Sequence, residues 1–294
     1  MDISKNLIAC LGTLLVSITH ISISSADINL GVLAPRGELK AKKRWNDFAS
    51  YLTEKTDQKV NMIALSPRNV IDAVENSQVD ILLINPVLTA KIEKLHGANL
   101  LATLNKNSGS VFAGVIVAKK GSGIKTAEDL KNKKVMSLKF RVAAGAYTFQ
   151  AYHLYKQGIN PHKDFASMRA SKKQDDLVLA VKAGMIDAAF VRSGILESMQ
   201  KEGKIKISDF VVIDQHASDE LKPVHTTQHY PEWYLFSLNS VDSSIAEKIK
   251  AAALAIKADD AVAKKAKIKG FVEPISLDGM KSALTALKIS PFSN

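Results

Sequence analysis

Cysteine is nearly absent from this chain of 294 residues, and the single one stands at position 10. From residue 27 onward there is none, so disulfide bonds and a catalytic thiol are both excluded for that part of the chain. A chain of this length does not need disulfides, because it can bury most of its apolar surface in ordinary cores. The length predicts one large domain or two domains of medium size.

Long apolar runs are scarce as well, and the one near the start is interrupted. Residues 7–23 are mostly apolar but contain Thr19 and His20, so the run falls short of the ~20 apolar residues of a membrane-spanning helix. Ser24, Ser25 and Ala26 supply the small residues of a cleavage site. Residues 1–26 are therefore predicted to be a cleaved secretory signal peptide. A membrane anchor and a lipidated cysteine are the alternatives.

Negative charge is in the minority, since 40 Lys and Arg stand against 29 Asp and Glu, for a formal net charge of +11. A basic chain can bind nucleic acid, an anionic surface or an anionic solute. Aromatic residues make up 6% and do not alternate with basic ones as on a base-stacking surface. We therefore expect no nucleic-acid partner, and we interpret most of the scattered lysines as solvated helix faces.

Catalytic motifs are also missing. There is no phosphate-binding P-loop and no Gly-x-Ser-x-Gly elbow. His225 and His229 are four residues apart, which on a helix would place two metal ligands on one face. The segment between Pro223 and Pro231 is a poor helix without the glutamate of a zinc-protease motif. No catalytic residue, metal or cofactor is predicted, and the chain is not expected to be an enzyme.

Strands and helices alternate along the chain, which predicts parallel α/β sheets. Residues 28–33 and 79–84 are predicted strands, and residues 39–55 form a predicted helix with Trp45, Phe48, Ala49 and Leu52 on one face. A long strand over residues 111–119 and a helix over residues 145–157 are also expected. The chain crosses between two similar units near residues 112–120 and returns near residues 224–236. This predicts two lobes with a cleft between them. Lobe 1 comprises residues 27–113 plus 229–294, and lobe 2 comprises residues 114–228.

Polar residues stand where several predicted strands end, and such strand ends converge on ligand crevices in open α/β sheets. Arg36 follows the first strand, Asn85 follows a buried one, and Arg192 with Ser193 follows a strand of the second unit. A single arginine at a strand end is more often a surface ion-pair partner, but three such positions favour a binding crevice.

A helix start in the second unit is the other candidate. Free backbone N–H groups at a helix start, with hydroxyls beside them, make a seat for an anion. An ordinary helix start is the alternative. The residues of this predicted seat are Arg141, Gly145, Ala146, Tyr147 and Thr148.

At this point the chain resembles the periplasmic phosphonate, phosphite and phosphate-binding proteins of ABC importers. It resembles still more closely the periplasmic sensor domains of histidine kinases, including tetrathionate sensors. The most specific stretches are 192–197 and 225–233. The resemblance is carried by residues 31–37, Trp45, 51–52, 79–80, 85–88, 112–116, 127–130, 191–197 and 225–233.

The resemblance implies an α/β, two-lobed type II periplasmic-binding-protein fold with a central interlobe cleft. It implies a monomer in the periplasm that binds a small anionic solute and passes it to an ABC permease; the alternative is a stand-alone sensor for a membrane histidine kinase. The family's phosphonate binders carry a Ser/Thr-rich helix start, from which residues 141–148 depart. Further hydrogen bonds to the ligand are expected from His225, Thr226, Thr227 and Tyr230.

Overall fold

The computed structural model describes residues 27–293, which form thirteen strands and ten α-helices in that range. Three further turns are helical in the 3₁₀ or π sense: Glu128–Leu130, Ala144–Thr148 and Ile207–Asp209. The strands are β1 (Ile28–Leu33), β2 (Val60–Leu65), β3 (Ile81–Ile84), β4 (Asn99–Asn105), β5 (Val111–Phe112), β6 (Gly114–Lys119), β7 (Lys134–Ser137), β8 (Ser167–Ala170), β9 (Ala188–Arg192), β10 (Phe210–Val212), β11 (Tyr230–Pro231), β12 (Tyr234–Ser237) and β13 (Gly270–Val272). The helices are α1 (Glu38–Thr56), α2 (Val70–Glu75), α3 (Pro86–His96), α4 (Phe149–Tyr155), α5 (Pro161–Asp164), α6 (Gln174–Lys182), α7 (Ile195–Lys201), α8 (Ser243–Leu254), α9 (Ala261–Ala266) and α10 (Asp278–Ala286).

The first lobe is built on a six-stranded sheet of order β13-β4-β12-β3-β1-β2. β1 pairs in parallel with β2 and β3, whereas β12 runs antiparallel to both β3 and β4. All four residues of β3 are buried, because helices cover both faces of the sheet. α1 covers one face with Trp45, Phe48, Ala49 and Leu52, the helix face predicted from the spacing of its apolar residues.

The second lobe has a five-stranded sheet of order β10-β6-β9-β7-β8. β7 pairs in parallel with β8 and β9, and β6 runs antiparallel to β9 and β10. Two apolar cores lie on the two faces of this sheet, one around Phe190 and the other around Val191. The two-lobed α/β architecture predicted from the sequence is confirmed.

The long strand predicted over residues 111–119 is two strands in the structure. β5 pairs with β11 between the lobes, while β6 belongs to the second sheet. Ala113 separates them, because the chain leaves one sheet and enters the other at this point. The segments that cross between the lobes contact both of them, so the lobe limits at 113/114 and 228/229 stay a prediction.

Two other predicted elements differ. The helix expected over residues 145–157 begins as a π turn, Ala144–Thr148, and continues as α4. β4 and β13, which pair at one edge of the first sheet, were not predicted. The signal peptide predicted for residues 1–26 lies outside the described residues. No helix in the described part of the chain is long and apolar enough to cross a membrane.

Candidate functional site

One edge of the first sheet gathers polar residues from strands that are distant in sequence. β1, β3 and β4 all end at this edge, where they are followed by Arg36, Asn85 and Lys106. β12 runs in the opposite direction, so Trp233, which precedes it, lies at the same edge. Carboxyl ends of parallel strands are where open α/β sheets bind ligands.

The corresponding edge of the second sheet lies at the other side of the crossing segments. β9 ends at Arg192, opposite Gly114 at the start of β6. The lobes are joined directly where Asn85 Nδ2 donates a hydrogen bond to the carbonyl of Val142 at 3.0 Å. The two polar edges therefore face one another across the cleft.

Glu232, whose side chain has no exposed surface, is the central group between these edges. Arg192 from the second lobe donates a short hydrogen bond to Glu232 Oε1. Lys106 Nζ lies 3.0 Å from Oε2, which accepts no well-directed hydrogen bond from any described residue. The Arg192 guanidinium also lies 4.5 Å from the centroid of the Phe112 ring, a cation–π contact. An ion network thus links the two lobes beside the cleft.

Cations outnumber this single carboxylate. The pKa of Lys106 is lowered from 10.5 to about 8, mainly by burial and also by the nearby charges of Arg192 and Arg44, while Glu232 acts in the opposite direction. Burial likewise lowers the pKa of Arg44; Glu232 opposes this shift, and Arg192 and Arg36 add to it. Below pH 8, the three arginines and Lys106 carry more positive charge than Glu232 neutralises, so these side chains repel one another. We call Arg36, Arg44, Lys106 and Arg192 the cationic cluster.

Three members of this network escaped the sequence analysis. Lys106 follows β4, a strand that was not predicted, so its place at a strand end could not be recognised. Arg44 lies on the amphipathic helix α1 among lysines that were interpreted as a solvated face. Glu232 stands in a stretch that carries the family resemblance. A single acidic residue between Pro231 and Trp233 was the one available signal.

The predicted anion seat near Gly145 is occupied by internal contacts. Thr148 is fully buried, and its hydroxyl donates to the carbonyl of Ala143 at 3.0 Å. The Tyr147 hydroxyl lies 2.8 Å from His162 Nε2, and its ring packs in the core of the second lobe. Burial raises the pKa of Tyr147 to about 12. Both hydroxyls are engaged inside the lobe.

Other residues of that seat are placed differently. Gly145 and Ala146 are buried, and Ala146 offers its carbonyl to the N–H of Leu138. Arg141 is exposed and lies close enough to Lys91 to lower the pKa of that buried lysine, an effect smaller than that of burial itself. Of the predicted seat, Arg141 is therefore the side chain available to a solute.

The polar residues of the crossing segment near residues 224–236 stabilise the connection between the two lobes, which we call the hinge. Thr226 Oγ1 accepts a hydrogen bond from Ile116 N at 2.9 Å and donates to the carbonyl of Ile213 at 2.7 Å. Thr227 Oγ1 accepts one from Gly114 N at 2.9 Å. These buried hydroxyls satisfy backbone groups where the chain passes between the sheets.

Ser193, Tyr230 and His225 have comparable internal partners. Ser193 Oγ accepts a hydrogen bond from Ala113 N at 3.1 Å. The Tyr230 ring stacks on Phe149 with 3.9 Å between ring centroids, and His225 Nδ1 donates to the carbonyl of Pro223. The ligand-binding role of these three residues stays a prediction.

A lysine-lined groove on the second lobe lies away from the cleft. It has a volume of about 590 Å³ and is formed around Lys119, Lys120 and Lys182. Lys119 ends β6, whose first residue is opposite Arg192, so the groove is at the other edge of the sheet. Its lysines are therefore a positively charged surface distant from the cleft.

The chain is similar to known proteins in sequence and in fold. The profile of one family, described as the phosphonate periplasmic substrate-binding protein of ABC transporters, matches residues 30–276. The tetrathionate sensor histidine kinase TtrS of Salmonella typhimurium is 27% identical over 227 residues. That match covers 75% of this chain and 38% of the kinase, so the chain spans about two fifths of that relative's length.

Solved structures agree on the fold. PhnD1 from Prochlorococcus marinus with methylphosphonate has a TM-score of 0.70 at 15% identity, covering 89% of this chain and 98% of its own. A Xanthomonas citri protein bound to ATP has a TM-score of 0.75 at 13% identity, and the match covers 90% of this chain and 100% of that protein. A binding protein of a Pseudomonas aeruginosa phosphonate transporter has a TM-score of 0.67 at 18% identity, and the match covers 91% of this chain and 88% of that protein.

Proposed function

Because the chain belongs to the family of periplasmic substrate-binding proteins of phosphonate ABC transporters, a family of binding proteins and not of enzymes, we propose that it captures a small anionic solute between its lobes. The loaded protein then delivers the solute to an ABC permease. Closure of the lobes about the crossing segments holds the solute, and release at the permease follows from their opening.

The cationic cluster is the observation that carries this proposal. Lys106 and Arg192 pair with one carboxylate, Glu232, where the two sheets face each other. Arg44 lies near enough for its charge to interact with Glu232, Arg192 and Arg36. An anion entering there relieves repulsion among the cations and receives charge-assisted hydrogen bonds. Arg141 is exposed next to Val142, whose carbonyl accepts a hydrogen bond from Asn85 across the cleft, and it adds a further donor.

The substrates named for related structures support the same ligand class. PhnD1 was solved with methylphosphonate and the Xanthomonas citri protein with ATP, and both ligands carry phosphorus oxyanions. The present chain lacks free hydroxyls at its helix start, so we propose that arginine and lysine side chains recognise its anion instead. A multiply charged oxyanion or carboxylate fits a cluster of that composition.

A thermal-shift screen of the purified chain tests the ligand class. The panel comprises methylphosphonate, phosphate, tetrathionate and a dicarboxylate, with arginine as the cationic control. A ligand at a hundredfold excess over its dissociation constant stabilises the native state by about 2.7 kcal/mol. We expect stabilisation by at least one anion and none by arginine. Stabilisation by the cation alone contradicts the proposal.

Calorimetry then locates the site. Arg36→Ala should weaken the identified anion, whereas Lys119→Ala, at the opposite edge of the second sheet, should leave its affinity unchanged. An equal loss of affinity in both variants indicates non-specific charge attraction. Unchanged affinity in both would show that the cationic cluster is not the binding site.

A sensor role is the second candidate, favoured by the match to TtrS. In that case the loaded chain contacts a membrane histidine kinase, and the same cleft binds the ligand. Neighbouring genes for a permease and an ATPase support import, whereas genes for a kinase and a response regulator support sensing. Co-purification with either membrane partner in the presence of ligand decides between them.

Export to the periplasm through residues 1–26 is part of the proposal. The mature protein, beginning at Asp27, should be released by osmotic shock. N-terminal sequencing of the released protein checks this, and Met1 at the start of a cytoplasmic form overturns it.

A further inference from the structure

Two histidines in the crossing segment meet without a helix between them. His225 forms a β-bridge with His216, and the chain then curves so that the rings of His225 and His229 lie 4.9 Å apart, centroid to centroid. Their Nε2 atoms are 3.1 Å apart. His225 is 2% exposed. The absence of a helix had argued against a metal at these residues, but the tertiary fold brings the rings together by another route.

The hydrogen bonds at the far side of each ring assign the tautomers. His225 Nδ1 lies 2.9 Å from the carbonyl of Pro223, which can only accept, so Nδ1 carries the proton. His229 Nδ1 lies 3.2 Å from the carboxylate of Glu220, which also accepts. In neutral imidazoles both Nε2 atoms are then unprotonated.

Two unprotonated nitrogens cannot hydrogen-bond to each other, so their lone pairs face each other across a short gap. Ser218 Oγ lies 3.1 Å from His229 Nε2 and accepts a hydrogen bond from Leu221 N. This oxygen is a third atom with a lone pair that could bind a metal ion beside the two nitrogens. A cation between the two nitrogens removes their repulsion, and the candidates are a proton and a metal ion.

We propose that His225 and His229 bind a divalent transition-metal ion of the Zn²⁺ or Ni²⁺ type through their Nε2 atoms. Two imidazoles on a tetrahedral ion with bonds of about 2.0–2.1 Å place their nitrogens about 3.3 Å apart, close to the observed 3.1 Å. Each ring donates its other N–H to a carbonyl or carboxylate, as metal-bound histidines do.

The remaining coordination positions are left to Ser218 and water. Within residues 27–293 no three His, Cys, Asp or Glu side chains converge on one point. The affinity should therefore be lower than that of a closed structural zinc site. A bound ion would tie the loop carrying Ser218 and Glu220 to the crossing segment, next to Thr226 and Thr227, and so stiffen the hinge.

Tag-free protein stripped with a chelator and titrated calorimetrically with ZnCl₂ or NiCl₂ tests the site. We expect saturable binding of one ion per chain and a rise in melting temperature. His229→Gln should weaken this binding by about tenfold or more. His216→Gln is the matched control and should bind as the wild type, since its exposed ring lies 6.3 Å from that of His225.

Several outcomes overturn the proposal. One is the absence of saturable binding, and another is equal binding by wild type and His229→Gln. A third is an NMR signal for a proton shared between the two imidazoles that persists unchanged in excess metal. Circular dichroism of His229→Gln establishes that the variant is folded. Should it not be folded, Glu220→Gln replaces it, and a weakening of metal binding is again expected because the Nδ1 partner is lost.

Discussion

Glu232 is a fully buried carboxylate held by Arg192 and Lys106, two of the cations that we propose attract the solute anion. Glu232→Gln removes its charge but keeps an oxygen for Arg192. Anion affinity should rise roughly tenfold, because about 1.4 kcal/mol of screened repulsion is lost. Calorimetry with the identified anion measures this. Glu197→Gln, whose carboxylate accepts only from Val224 N among the described residues, is the control. A weaker affinity in Glu232→Gln would show that the carboxylate positions Arg192 instead.

Arg192 was expected either to contact the ligand or to form a surface ion pair, and the structure pairs it with the buried Glu232. Arg192→Ala should weaken anion binding about ten- to a hundredfold, since a charge-assisted hydrogen bond is worth about 1.5–3 kcal/mol. It should also destabilise the fold, because Glu232 loses a partner in a buried site.

The double variant Arg192→Ala/Glu232→Gln separates these two effects. It should recover much of the lost stability in urea denaturation while the anion still binds weakly. Wild-type affinity in the double variant would show that Arg192 acts only as the partner of Glu232.

We expect Lys106 to make anion binding dependent on pH. The pKa of its amine is lowered to about 8, mainly by burial, and an anion binds the ammonium form. Anion affinity should therefore fall as the pH rises through about 8, and Lys106→Arg should not show this fall because guanidinium stays charged. Calorimetry about one pH unit either side of that value checks it. An affinity that is flat in the wild type contradicts the assignment.

The lowered pKa of Lys106 also makes the free energy of unfolding depend on pH. This free energy should rise with pH, whereas anion affinity should fall. The folded-state pKa of about 8 lies below the ordinary value of 10.5, so the unfolded chain binds more protons between these values. The contribution of Lys106 to the free energy of unfolding should increase with pH across that window. Urea titrations of wild type and Lys106→Met measure the difference, and the variant should lack this part of the slope.

At the scale of elements, the π turn that precedes α4 is packed tightly against β5 and Ala113. A Cβ at Gly145 would lie 2.7 Å from Phe112 Cε2 and 3.2 Å from the carbonyl of Ala113. Gly145→Ala should therefore destabilise the protein by about 1–3 kcal/mol through overpacking.

Gly279→Ala is the matched control for that variant, because it lies in α10 with no atom within 4 Å of the added Cβ. It should be neutral or slightly stabilising. Urea denaturation of both variants measures the free energies of unfolding. Equal values for both would show that the π turn moves away from Phe112 at little cost.

For the whole molecule, the lobes contact each other directly, and we propose that they close further on the anion. Asn85 and Val142 meet across it, and Phe149 of the second lobe packs in the same apolar core as Phe112 and Tyr230. Small-angle scattering should show a smaller radius of gyration with saturating anion than without it. An unchanged radius, together with calorimetric proof of binding, would show that the free protein is already closed.

The sequence by itself determined the architecture. The alternation of apolar strands and amphipathic helices, the fully apolar β3 and the apolar face of α1 are local patterns, and each follows from the period of its own element. The two-lobed α/β fold was predictable for this reason, whereas the binding-protein family came from the resemblance of stretches such as 192–197 and 225–233 to known sequences. The split of residues 111–119 into β5 and β6 was not, because nothing local distinguishes a strand that changes sheets.

Only the tertiary structure decided which polar side chains meet. Arg192 and Glu232 are 40 residues apart, and their contact depends on strand order and on the register that sets Gly114 opposite Arg192. The same holds for Lys106, for the enclosed hydroxyls of Tyr147 and Thr148, and for the facing rings of His225 and His229. Strand order and register minimise the free energy of the whole core, so a short window of sequence contains no record of them.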